Sequence, residues 1–131
     1  MRPDASAGPS TSPLGVMRRI VLVTLVLTTS ACAAYAAHLE DRRVFWEQRL
    51  AREIPPGTDR NTILTWAASG QIHMYENAQQ RILYATVEVV RYKGLIPYSC
   101  GRGDIIVRVT LDSAGHSLEN EVSTAKAMCV I

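Results

Sequence analysis

The sequence predicts an α+β fold: an N-terminal signal or anchor helix, then one or two helices packed on a three- or four-stranded antiparallel meander sheet. Apolar residues recur at helical spacing over 39–54, and a second, shorter helical stretch follows to about Ser69. Beyond Gly70 the pattern becomes strand-like, with a two-residue alternation over 103–112 and polar turns between β-branched runs. Turns this short join antiparallel neighbours and leave no room for crossover helices.

Each element has its own signals. In 39–54, Leu39, Trp46, Leu50 and Ile54 form one stripe, Glu40 and Asp41 stand in the first turn and Arg52 in the last. Pro55-Pro56-Gly57 ends this helix, because the residue before a proline resists the α conformation. The helix is either a stalk from a membrane or a layer of the domain. Thr58 or Asp59 caps the second helix, and Gly70 stops it. Ile72–Glu76 reads as a short strand, Asn77–Gln80 as a turn, and Ile82–Tyr92 as a long strand ended by Gly94–Pro97. From Gly103 to Asp112 the odd positions (Ile105, Val107, Val109, Leu111) face inward, and Asp112–Gly115 turns the chain. The last strand runs from Leu118 to Met128, with Leu118 and Val122 inward.

This parity constrains the register. A slip of one residue turns a whole face over, so core-facing residues must oppose core-facing ones. Leu111 opposite Leu118 continues, if the ladder runs that far, to Cys100 opposite Cys129. Cross-strand Cβ atoms about 4.5–5.5 Å apart approach disulfide range. A Cys100–Cys129 bridge is therefore expected, with two buried thiols as the alternative and a bulge at Gly101 or Gly103 as the way the register fails.

The net charge of +2 comes from the N-terminus: Arg2, Arg18 and Arg19 outweigh Asp4, and the rest of the chain is balanced. A neutral domain has no broad field to collect phosphates, so nucleic-acid binding is not expected. Residues 1–16 are rich in Pro, Ser, Gly and Ala and read as a disordered extension or a misassigned start, with Met17 the expected true start and a real cytoplasmic extension as its rival. Residues 17–37 read as a signal peptide or membrane anchor: Arg18 and Arg19 precede an uncharged run from Ile20 to Ala37. Thr28-Thr29-Ser30-Ala31-Cys32 resembles a bacterial lipobox, with Cys32 the lipidated residue. Ala34-Tyr35-Ala36 offers an ordinary cleavage site, and the uncharged run reaches the length of a marginal span. All three outcomes put the domain in the bacterial cell envelope, facing the periplasm, anchored through a lipid or the N-terminal helix in two of them. An oxidising compartment favours the disulfide. Residues 38–57 are then a helix and Pro-Gly linker, and 58–131 the α+β domain.

The order of lipobox-like Cys32, two helices and a meander, with Pro56-Gly57-Thr58 before the second helix and the strand and turn Val109–Gly115, resembles the small BamE-like (SmpA-like) envelope lipoproteins over about residues 56–125. Ala68-Ser69-Gly70-Gln71 stands where that family usually carries Leu-Gly-x-Pro. The resemblance implies a two-layer scaffold for protein contacts, with a role in outer-membrane or envelope maintenance, and brings no catalytic residues. The same kind of domain recurs in periplasmic inhibitor proteins.

No catalytic or cofactor signature is present. His38, His73 and His116 are far apart in sequence with no carboxylate or cysteine at zinc-like spacing, and there is no phosphate loop, nucleophile elbow or dinucleotide fingerprint. Arg102-Gly103-Asp104 matches the integrin-binding tripeptide, a match three residues make easily by chance; Gly103 more simply begins a strand. No cofactor, metal or catalytic residue is expected. If odd positions face the helix in both long strands, the other face carries Tyr84, Glu88, Val90, Tyr92, Ile106 and Arg108, a candidate partner surface. The expectation is a non-enzymatic, membrane-tethered interaction protein. The alternatives are a periplasmic inhibitor or immunity-type protein, and a small ligand-binding module or enzyme in which His73 or Cys100 meets a carboxylate.

Overall fold

The computed structural model describes residues 12–91 and 101–127, without the side chains of 28–32 and 127. Its elements are α1 (Pro13–Glu53), α2 (Arg60–Ser69), β1 (Tyr75–Asn77), β2 (Ile82–Arg91), β3 (Arg102–Leu111) and β4 (Ser117–Ala127). The strands form one sheet in the order β1-β2-β3-β4, antiparallel throughout. This is the α+β fold expected, helices on a four-stranded meander. The chain divides into two compact units, Met1–Ala33 and Ala34–Ile131.

In the first unit the described residues are the start of α1, where Ile20, Leu22, Val23, Leu25 and Leu27 are exposed. Among the described residues no helix is long and apolar enough to cross a membrane. The lipobox-like side chains, Cys32 included, lie outside the described residues.

The second unit is built on the expected stripe. Leu39, Trp46, Leu50 and Ile54 are all buried, because their spacing keeps them on one side of α1. They pack on the odd residues of β3 (Ile105, Val107, Val109, Leu111), on Leu83 of β2 and on Val122 of β4, joined by Ile63 of α2. Of the two readings of helix 39–54, the layer is correct. Asp59 is the N-cap of α2, its side chain accepting from the Thr62 N–H at 3.0 Å, and Gly70 closes the helix as its C-cap. The Pro-Gly linker is tied to the sheet: the Gly57 N–H donates to Ser117 O, Ser117 N–H to Thr58 O, and Asp59 forms a bridge with His116.

Two expectations are corrected and a third is extended. First, β2 changes phase. Its register shifts between Thr86 and Glu88, so one extra residue bulges out and the inward set changes from Leu83 and Ala85 to Glu88 and Val90. Val90 is buried and Glu88 bonds to α1, so neither belongs to the open face. Second, Leu118 is 58% exposed, because the register shifts between Thr110 and Leu111 and brings Ser117 opposite Leu111. Ser117 is buried instead, its hydroxyl donating to Pro55 O at 2.9 Å and accepting from the Thr58 N–H at 3.0 Å. Third, Gly103 does more than begin a strand. A Cβ built there lies 2.8 Å from both Leu39 methyls and 2.9 Å from the Tyr35 hydroxyl, so its missing side chain lets α1 close on the sheet.

From Arg102–Ala127 to Thr110–Glu119 the β3–β4 register is the one inferred from parity. Cys100 and Cys129 lie beyond it, outside the described residues, as does the pairing expected of them.

Candidate interaction surface

Both helices contribute to the core on one face of the sheet, and among the described residues nothing covers the other. A single row crosses that open face. The registers place Tyr75 opposite Tyr84, Tyr84 opposite Arg108, and Arg108 opposite Glu121. Cross-strand neighbours on one face stand close enough for their side chains to interact, and here they do. The Tyr75 and Tyr84 rings stack with centroids 5.6 Å apart, and Arg108 forms an ion pair with Glu121. His73 extends the row, its ring edge-on to Tyr75 at 4.6 Å. Tyr75 is 53% and Tyr84 43% exposed, so the aromatic pair presents broad, rigid apolar area to solvent. Ile106, half-buried between Thr86 and Ser123, continues the apolar surface in the next row.

Of the expected surface residues, Tyr84, Ile106 and Arg108 share this face. Tyr92 lies outside the described residues. Glu88 is on the opposite face and has a structural task. It accepts from Arg42 Nε at 2.9 Å, from a terminal Arg42 nitrogen at 2.8 Å and from Trp46 Nε1 at 2.7 Å. The Arg42 hydrogen bonds hold its carboxyl below the ordinary value of 4.5 against the opposing effect of burial, and the indole N–H assists.

Tyr75 and Glu121 complete the row but were not among the residues expected there. Glu121 was legible, because the parity register of the last two strands puts it opposite Arg108. Tyr75 was not: a turn over 77–80 would set it opposite Ile82, whereas the strand runs to Asn77 and the turn over 78–81 sets it opposite Tyr84.

The other candidates stay apart. His73 meets a tyrosine ring, and His116 lies in the β3–β4 turn with Nδ1 3.7 Å from Asp112 Oδ1. Cys100 lies outside the described residues. Among the described residues no three or more His, Cys, Asp or Glu side chains gather as metal ligands. Arg102-Gly103-Asp104 is extended in β3, with Gly103 buried beneath Leu39 and Arg102 bonded to Asp104 at 2.9 Å. No protein-family model, curated protein or solved structure matches the chain.

Proposed function

We propose that this protein is a membrane-tethered, periplasm-facing envelope protein that acts without catalysis, as an interaction scaffold for another envelope protein. The observation that carries the reading is the row Tyr75–Tyr84–Arg108–Glu121 on a sheet face that nothing among the described residues covers. Aromatic and arginine side chains are the residue types that concentrate binding energy in protein interfaces. A balanced charge over the folded part fits a protein partner better than a nucleic acid. The basic-then-apolar segment ending near Cys32 supports the tether, and the likeness to BamE-like lipoproteins supports a role in envelope maintenance.

The test is site-specific photo-cross-linking in intact cells, with a photoreactive aromatic amino acid in place of Tyr84. The expected outcome is a discrete adduct with one envelope protein, lost when Arg108→Glu is added while the thermal melt is unchanged. A probe that captures no protein, or an adduct indifferent to Arg108→Glu, would overturn the reading.

A further inference from the structure

We infer that the outer edge of β4 takes up an extended segment of a partner protein as an added strand, with apolar side chains entering the adjoining groove and basic ones meeting Glu119. The inference concerns the edge of the sheet and does not rest on the aromatic row of the open face.

β4 is the last strand of the sheet, and its pairing with β3 uses only one of its edges. At its start the other edge is already used, since the linker pairs there through Gly57, Thr58 and Asp59. From Leu118 onward no strand among the described residues takes up the outer edge. Exposed strand edges are templates for strand addition, in which main-chain bonds supply affinity and side-chain pockets supply selectivity. Here the linker shows that the edge accepts added backbone, and a partner strand would continue where it leaves off.

Beside this stretch lies a groove of about 420 Å³, lined by Leu50 and Ala51 of α1, by Pro56, and by Leu118 and Val122 of β4. Its polar wall contains an unspent group. Asn120 Nδ2 donates to Ile54 O at 2.7 Å, but Asn120 Oδ1 is buried and accepts no hydrogen bond among the described residues. A buried acceptor without a donor is uncommon in a folded domain.

Charge narrows the occupant. The charged residues that line the groove are both acidic, Glu47 and Glu119. Glu47 is paired with Arg43, whereas Glu119 has no ion pair among the described residues. In β4 the odd residues Glu119 and Glu121 share the open-face side, and Val122 faces α1. An added strand alternating apolar and basic residues therefore places its apolar set in the groove and its basic set beside Glu119. An acidic strand would be repelled.

The test is fluorescence anisotropy of a fluorescein-labelled Lys-Val-Lys-Val-Lys-Val peptide against the full chain in detergent. Saturable binding is expected. It should weaken about tenfold or more when the peptide lysines become glutamates, when its pairing-edge amides are N-methylated, or when the protein carries Glu119→Lys. Glu119 is exposed, so that variant should keep its melt. Absence of saturable binding, or equal binding by the glutamate or N-methylated peptide or by Glu119→Lys, would overturn the inference. So would sedimentation showing that the edge is occupied by a second copy of the chain. Arg108→Glu, which removes the partner of Glu121 and adds negative charge beside the edge, should not weaken peptide binding, and Glu119→Lys should leave the Tyr84 cross-link unchanged, so the two readings fail or stand separately.

Discussion

Gly103 and Glu88 show how single side chains set the contact between α1 and the sheet. At Gly103 a methyl group would press on Leu39, which is only 1% exposed and has little room to yield. Gly103→Ala is expected to destabilise the domain by about 1–3 kcal/mol in denaturant titrations, an overpacking cost. Adding Leu39→Ala should cost less than the two single effects combined, since the pair shares one space. Glu88 contributes through its charge. Its folded pKa is depressed, so the stabilisation is fully present above the ordinary value of 4.5 and is lost as pH falls from there through the depressed value. Glu88→Gln should therefore cost about 1–2 kcal/mol at neutral pH, as expected for a charged hydrogen bond in a partly solvated site. The difference from the parent should shrink as melts are taken below pH 4.5; a constant difference would show that the carboxylate charge is immaterial.

The helices and β3 follow local rules, and β2 does not. The stripe of α1 is legible because four apolar residues at helical spacing admit one buried side. Leu50 is at its centre, and Leu50→Ala is expected to lower stability by about 2–5 kcal/mol in thermal or denaturant melts, the cost of a cavity in a core. An effect near zero would mean that α1 is a stalk rather than a layer. The end of α2 is legible from Gly70 and its start to Thr58 or Asp59, of which the fold uses Asp59. In β2 a single extra residue reverses which residues face inward, and no Gly or Pro marks the place. Alternation alone therefore puts Glu88 and Val90 on the wrong face. Only partners on other elements, Arg42 and Trp46, reveal which side Glu88 takes.

The assembled chain combines a basic N-terminal segment, a neutral α+β unit and a sheet with one covered face. Intact mass of the protein from the envelope, before and after reduction and alkylation, bears on both ends. A lipid-modified N-terminus at Cys32 is the expected result, with two further thiols alkylated only after reduction. An unprocessed N-terminus would favour the helical anchor over the lipid, and thiols free without reduction would end the β3–β4 register before Cys100 and Cys129.

Periodicity and punctuation were enough for the order of elements, the buried stripe of α1, the cap of α2 and the parity of β3, because each depends on residues close together in the chain. The register of β3 with β4 followed as well, since parity and a short turn leave few pairings. The surface residues were partly legible for the same reason: Tyr84, Ile106 and Arg108 lie on strands whose phase could be counted. The bulge in β2, the burial of Ser117 with the exposure of Leu118, and the need for glycine at position 103 depended on the folded molecule. Each arises where segments distant in sequence meet: α1 against β2 and β3, and the Pro-Gly linker against β4. Local patterns say which residues would prefer burial, whereas the close packing of those segments decides which ones achieve it and which strand edge and groove stay open.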